Sequence, residues 1–366
     1  MLINFIVNNF RGFNLPIEWC LSHPNNYEFN TYAIKDGIIK NGLIYGPNGC
    51  GKTNFSLALF DIVNHISQKI KKADYYNNFI YAGTPDTLVN FEYTFKFDKE
   101  IVEYKYSKQS DGKLIEENLI VDGKTIFEKK NNFFVIDSEC FAIENQTKDA
   151  LAINANGVSI INFLLTSFPL THDHYLIKLR NFVDGMLWFR NLDIREFIGL
   201  ENTISNLDEF IIKEHLHKDF ESFLNSVSGQ KFEFDNNSEN DRMLMCKIGN
   251  NRYPFILIAS TGTKALQLLY FWMKKIVNAS FVFIDEFDAF YHFDLSFEVC
   301  KRLFTQNCQV FASTHNTYLL SNELLRPDCN FLLNNNKIKS FSDCTQKELR
   351  IAHNMEKLYR GGTFNI

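Results

Sequence analysis

Gly46-Pro47-Asn48-Gly49-Cys50-Gly51-Lys52-Thr53 satisfies the pattern G-x-x-x-x-G-K-[ST] at every fixed position. The glycines let the backbone curl until successive N–H groups face an anion, and a helix starting at the lysine adds its positive end. Such a loop cradles nucleotide phosphates, with Lys52 on the β- and γ-phosphates and the Thr53 hydroxyl on Mg2+; Asn54 follows in the same stretch of candidate contacts. A second cluster is Phe281-Val282-Phe283-Ile284-Asp285-Glu286, an apolar run ending in two carboxylates. In a nucleotide enzyme the first acid, Asp285, holds Mg2+, and the second, Glu286, orients or deprotonates the attacking water. A third run, Gln309-Val310-Phe311-Ala312, delivers Ser313, Thr314 and His315. Parallel α/β sheets bind ligands at the C-terminal edge of their strands, which puts His315 within reach of a γ-phosphate. A fourth cluster, Ala259 to Lys264, places Ser260 and Gly262 at the start of a long helix.

Each cluster has a plainer explanation. A glycine turn can arise by chance, an acid pair can open a solvated loop, a lone histidine is usually inert, and Ser260 is an ordinary helix cap. Against these stands the order of the elements. Leu43-Ile44-Tyr45 runs straight into Gly46, and Phe55, Leu57, Leu59, Phe60, Val63 and Ile66 then follow with broadly helical spacing. Strand, loop and helix are what the phosphate motif requires. One helix fits between Glu286 and His315, which makes their strands plausible neighbours. Ser260 then has a sharper reading as a second anion site, gripping the γ-phosphate of another subunit's ATP.

The remaining elements frame these clusters. Residues 1–12 read as a strand, and residues 85–136 alternate apolar and polar with turns at Ser110-Asp111-Gly112 and Asp122-Gly123, the signature of an antiparallel β-meander. Residues 150–230 read as a helical lobe, residues 235–241 as an exposed loop, Thr263–Val277 as a helix and Gln346–Tyr359 as a final helix capped by Gly361-Gly362. The expectation is one composite domain over residues 1–366, with the meander and the helical lobe inserted between the phosphate loop and the other clusters.

Composition narrows the function. The net charge is −5 and the densest basic cluster is Lys69-Ile70-Lys71-Lys72, so nucleic acid is a possible partner without compositional support. The eight cysteines include no C-x-x-C pair, which argues against common zinc sites and a disulfide framework and favours the reducing cytoplasm. No stretch approaches the ~18 apolar residues of a membrane helix, so no membrane is expected. His172 and His174, and His215 and His217, have the composition of metal ligands but are read as solvated.

Together the four clusters resemble the ABC-type ATPase superfamily, in particular its SMC-like, RecF-like and OLD-like branch. Asn9-Phe10-Arg11-Gly12-Phe13 looks like that branch's N-terminal strand pair, Ala259–Lys264 stands where its signature motif belongs, and Ser313-Thr314-His315-Asn316 where its switch histidine belongs. The resemblance implies an α/β fold: a P-loop ATPase head with an antiparallel β arm and a helical insert. It implies ATP and Mg2+ as cofactors and hydrolysis to ADP and phosphate. It also implies Arg11 among the nucleotide contacts, and a homodimer or higher homo-oligomer that sandwiches ATP, with Ser260 and Gly262 acting in trans. The signature departs from the family in lacking a Gly-Gly pair and the glutamine after it, and Gln146 is a candidate for the Q-loop glutamine. Phe287–His292 looks like the D-loop region of prokaryotic AAA-type proteins in this branch, and the C-terminus, Leu349 to Gly362, resembles that of small ATPases found beside phage-defence effectors, including the AriA type of PARIS systems. The expected role is a sensor or regulatory ATPase of a bacterial anti-phage system, controlling a separate effector (nuclease or toxin). The alternative is a RecF-like repair or recombination ATPase acting as a DNA clamp. An OLD-like nuclease would need an acidic metal-binding domain after the core, for which the sequence leaves no room.

Overall fold

The computed structural model describes residues 1–67, 69, 73–153, 157–190, 196–201, 203, 206–235, 243–364 and 366. The expected loop from residue 236 onward, and residues 70–72 of the basic cluster, lie outside the described residues. The chain opens with β1 (Leu2–Asn8) and β2 (Ile17–Cys20), then a short ribbon of β3 (Ile34–Lys35) and β4 (Ile38–Ile39). It continues through β5 (Asn41–Tyr45) into α1 (Lys52–Leu59) and α2 (Val63–Ile66). Five strands follow: β6 (Val89–Phe97), β7 (Glu100–Lys108), β8 (Leu114–Val121), β9 (Lys124–Lys130) and β10 (Phe133–Ile136). They join β1 and β2 in an antiparallel sheet of order β10-β9-β8-β7-β6-β1-β2.

Helices α3 (Asn145–Ile153), α4 (Ile160–Ser167) and α5 (Tyr175–Asp184) come next, then β11 (Met186–Arg190) and β12 (Phe197–Gly199). Residues 186–190, read from sequence as part of a helical stretch, are a strand, because Met186-Leu187-Trp188-Phe189 is a run buried on both faces of a sheet. After α6 (Leu207–Lys213), α7 (His217–Ser228), the hairpin β13 (Met245–Ile248) and β14 (Asn251–Pro254), and α8 (Phe255–Ile258), the long α9 (Thr261–Lys275) leads to β15 (Phe281–Asp285). The chain ends with α10 (Phe293–Phe304), β16 (Gln309–Ser313), β17 (Asn330–Asn334), β18 (Lys337–Ser340) and α11 (Met355–Arg360). The final helix is shorter than its spacing predicts, because the Asn354 side chain accepts from the Lys357 N–H at 2.8 Å and caps it there.

The second seven-stranded sheet has the order β12-β11-β15-β16-β5-β17-β18. Its five inner strands are parallel, and β12 and β18 close it as antiparallel edges. Strands β5, β15 and β16 are buried along their whole length, which is why they read as continuous apolar runs. The register sets Arg190 beside Asp285, Ile284 beside Ala312, and Ser313 beside Ile44. The parallel arrangement therefore brings the last residues of β11, β15 and β16 to the edge where β5 enters the phosphate loop.

Helix α1 lies between the two sheets. Phe55 meets Phe5 at 5.8 Å and Trp19 at 5.4 Å, while Trp19 reaches Phe311 at 4.6 Å. On the antiparallel side, the Tyr93 hydroxyl donates to the carbonyls of Ala58 and Leu59, both at 3.1 Å. The Gln309 side chain clasps the two sheets by accepting from the Leu2 N–H at 2.8 Å and donating to its carbonyl at 3.0 Å. Just after α1, Asp61 accepts from the Lys108 ammonium at 2.5 Å and the Tyr106 hydroxyl at 2.9 Å, with both members of the ion pair inaccessible to solvent. Glu117, buried on β8, accepts from the N–H groups of Ile160 and Ile161 and the hydroxyls of Ser159 and Tyr104, and so anchors the start of α4 to the sheet. Burial pushes its pKa up against these hydrogen bonds.

Removing one partner of a buried ion pair leaves a charge without compensation, which costs about 3–5 kcal/mol. Lys108→Met is therefore expected to lower the unfolding free energy by about that amount in urea titrations. The double variant Lys108→Met with Asp61→Asn should recover a large part of it. A double variant no more stable than the single would show that the pair is not the source of the loss.

Candidate active site

Between β5 and α1 the loop turns sharply at Gly51, whose φ is +100° and whose missing Cβ would lie 2.6 Å from the Phe13 ring. Only glycine meets both conditions. The turn starts α1 on Lys52, with the Phe55 N–H donating to the Gly51 carbonyl at 2.8 Å. The Lys52 ammonium folds back over the loop, donating to the carbonyls of Gly46 at 2.9 Å and Pro47 at 3.3 Å, with the Cys50 sulfur at 3.9 Å. Burial lowers its pKa, and the Cys50 thiol and the carboxylates of Asp285 and Glu286 oppose that shift. Pro47, Asn48 and Gly49 are exposed at the tip, while Gly46 is buried at its base.

Asp285 is inaccessible to solvent and is the centre of the arrangement. Its Oδ2 accepts from the Thr53 hydroxyl at 2.8 Å and its Oδ1 from the Ser313 hydroxyl at 2.7 Å. Ser313 also accepts from the Glu286 N–H at 2.8 Å. This contact supports Glu286 in the left-handed region at φ 50°, a conformation that costs about 1–3 kcal/mol in a non-glycine residue. The turn leaves the Glu286 side chain partly accessible beside the buried Asp285. Thr314 donates to Asp288 at 2.8 Å, which fixes the turn after the acid pair to the end of β16. His315 lies at the surface next to this turn. Its pKa is lowered by partial burial and then by the Lys52 ammonium, against the carboxylates of Glu286 and Asp285.

Arg190, which the sequence reading passed over, completes the centre. Its Nε and Nη2 donate to Asp285 Oδ2 at 3.2 and 3.1 Å, its Nη2 to Thr53 Oγ1 at 3.2 Å, and its Nη1 to Glu196 at 3.2 Å. The available signal was an apolar run ending in a polar residue, the same form as β15. Gln146, by contrast, is exposed on α3, which packs on β10 at the far edge of the antiparallel sheet. It is not beside Thr53 and Asp285.

The hard oxygens of Thr53 and Asp285 suit Mg2+, and they already hold a cationic group, Arg190, between them. No cluster of three or more His, Cys, Asp or Glu side chains forms a metal site among the described residues. A Mg2+ ion here would complete its shell with phosphate oxygens and water, as that ion commonly does. Arg11 donates to Asn54 at 3.5 Å and to the Tyr75 carbonyl at 2.8 Å. With Thr53, Tyr75, Trp188, Arg190 and Glu196 it lines a cavity of about 300 Å³ beside α1.

Ser260, exposed, and Gly262, half-buried, lie at the start of α9. The Ser260 hydroxyl accepts from the Thr263 N–H at 3.2 Å, the capping contact, and a Cβ on Gly262 would meet the Phe290 carbonyl at 2.8 Å. His172 and His215 are exposed, and His174 caps α5 by accepting from the Leu176 N–H. His217 is buried at the start of α7, which corrects its reading as solvated: Leu216 and Phe220 flank it on an element whose inner face packs into the core.

These features define a P-loop α/β protein in which the C-terminal ends of parallel strands converge on one acidic pair. The chain belongs to the family described as "AAA domain, putative AbiEii toxin, Type IV TA system", whose model matches residues 43–321. No curated protein matches the chain. Among solved structures it is similar to the SMC head domain from Thermotoga maritima, at 16% identity, 92% of this chain, 97% of that chain and a TM-score of 0.44. It is also similar to a Smc head domain with an extended coiled coil, bound to the C-terminal domain of ScpA derived from Pyrococcus furiosus (12% identity, 93% and 97% coverage, TM-score 0.46). A third similarity is to the recombination mediator RecF (13% identity, 93% and 98% coverage, TM-score 0.40). No helix among the described residues is long and apolar enough to cross a membrane, and all eight cysteines are free thiols.

The electrostatics of His315 give a direct test. Because its pKa lies below the ordinary 6.5, the imidazole is neutral at pH 7. The unfolded chain takes up this proton at higher pH than the folded one, so the site loses stability as pH falls below 6.5. NMR titration should place the midpoint of His315 below 6.5 and move it upward in Lys52→Met, where the neighbouring ammonium is gone. An unchanged midpoint in that variant would remove Lys52 from the causes.

Proposed function

We propose that this protein binds Mg-ATP and hydrolyses it to ADP and phosphate. The observation that carries this reading is the 2.8 Å hydrogen bond from Thr53 to Asp285, which joins the phosphate loop to the acid pair. In this reading the loop 46–51 and Asn54 hold the phosphates, Lys52 swings from its own loop onto the β- and γ-phosphates, and Arg11 steadies the nucleotide through Asn54. Thr53 and Asp285 would hold Mg2+, which would supply neutralisation of phosphate charge. Glu286, partly accessible at its left-handed turn, orients the attacking water and takes its proton. His315, neutral at pH 7, donates a hydrogen bond to a γ-phosphate oxygen.

Ser260 and Gly262 stand at the start of α9, with Ser260 exposed, and in this reading they act on the ATP of a second copy. Two copies facing each other would then close two composite sites, each with the start of α9 as the far wall. The output we favour is regulation: an ATPase of a bacterial anti-phage system that restrains a separate effector and releases it. The reference to a toxin of a toxin–antitoxin system in the family description is in keeping with that output.

Lys52→Ala is expected to abolish ATP binding measured by calorimetry, whereas Glu286→Gln should keep binding and lose at least about a hundredfold in turnover. With Mg-ATP, Glu286→Gln should double its solution mass, and adding Ser260→Ala with Gly262→Ala should prevent the doubling. Normal turnover in Glu286→Gln would sink the assignment of the base, and ATP-dependent doubling in the triple variant would sink the trans contact.

A further inference from the structure

We propose that Arg190 is the resident counter-cation of the metal position, and that a divalent ion gains Asp285 and Thr53 only by displacing the guanidinium toward Glu196. This inference rests on the nucleotide-site reading above and adds a residue that no motif marks. Three observations carry it. First, the contacts converge: Nε and Nη2 both donate to Asp285 Oδ2, at 3.2 and 3.1 Å, and Nη2 also donates to Thr53 Oγ1 at 3.2 Å. A guanidinium that merely paired with a buried acid would need only the first two. Reaching the hydroxyl as well puts its charge between the two oxygens that suit a hard cation.

Second, the carboxylate has no room for both cations. Oδ1 is engaged by Ser313, and Oδ2 already accepts from Thr53 and from two guanidinium nitrogens. An incoming divalent ion therefore replaces donors on Oδ2, and repulsion between like charges at such distances selects Arg190 as the group that leaves. Third, the guanidinium has a place to go. Its Nη1 is already on Glu196 at 3.2 Å, Glu196 is partly exposed, and both residues line the cavity of about 300 Å³ beside α1. Metal entry thus moves a side chain at the end of β11 while its tether to Glu196 persists. The exchange makes the site self-neutralising: Asp285 keeps a positive partner with either occupant, which suits a carboxylate with no solvent access.

The test is Mn2+ binding to the nucleotide-free protein, followed by electron paramagnetic resonance, for wild type, Arg190→Gln and Arg190→Lys. Arg190→Gln removes the competitor and is expected to bind Mn2+ at least about tenfold more tightly than wild type, lost again on adding Asp285→Asn. Arg190→Lys keeps a cation there and should stay close to wild type. Mn2+ should also raise the melting temperature of Arg190→Gln and leave that of wild type unchanged. Equal Mn2+ affinity in wild type and Arg190→Gln overturns the proposal. Because no nucleotide is present, that failure is separate from any failure of ATP hydrolysis. Should Arg190→Gln not fold, the wild type gives the answer through Trp188, whose ring lies 5.9 Å from the guanidinium. Its emission, assigned by loss in Trp188→Phe, should change with ATP and Mg2+ and not with ATP and EDTA. The same change with EDTA would mean that nucleotide, not metal, moves Arg190, and would overturn the exchange.

Discussion

A carboxylate with no access to solvent is tolerable only when its neighbours neutralise and hydrogen-bond it, and Asp285 is where this chain meets that demand. Three segments far apart in sequence converge on it: Thr53 from the start of α1, Ser313 from β16 and Arg190 from β11. Each arrives because a parallel strand, or the helix after one, ends at the same edge of the same sheet. The acid pair is thus both a chemical centre and the knot that ties the edge together. Ser313 extends the knot by one residue, since the hydroxyl that satisfies Asp285 also holds the Glu286 N–H and with it the unusual turn that exposes the second acid.

The antiparallel sheet has a different task. It covers α1 from the side opposite the parallel sheet, through Phe5, Tyr93 and the Lys108–Asp61 pair, and so fixes the far end of the helix whose first turn carries Lys52 and Thr53. Glu117 then ties α4 to the same sheet.

Much of the site was legible in the sequence because its chemistry is local. The phosphate loop needs glycines and a lysine at fixed spacing, and the acid pair and His315 each end an apolar run too short to be anything but a buried strand. Arg190 was not legible, for two reasons. A single arginine after four apolar residues carries no signature of its own, and the run sat between stretches whose spacing is helical. Only the parallel pairing of β11 with β15 reveals it as the neighbour of Asp285. Gln146 was chosen by residue type, and type says nothing about which edge of a sheet a residue reaches. The last helix was drawn too long because periodicity continued through residues 346–354, while one capping side chain, Asn354, decided where the helix starts. His217 was misread as solvated because residue type alone does not say which face of a helix is packed, and here the first residue of α7 lies on the buried one.

The most direct test of the account is the Mg2+ dependence of ATP affinity in the wild type and in Asp285→Asn, by calorimetry with and without EDTA. If Asp285 and Thr53 are the protein's hold on the metal, the wild type binds ATP more tightly with Mg2+ than without it. Asp285→Asn should then bind ATP with an affinity that Mg2+ hardly changes. A wild type indifferent to Mg2+, or an Asp285→Asn variant that keeps the full metal dependence, would contradict the account at its centre.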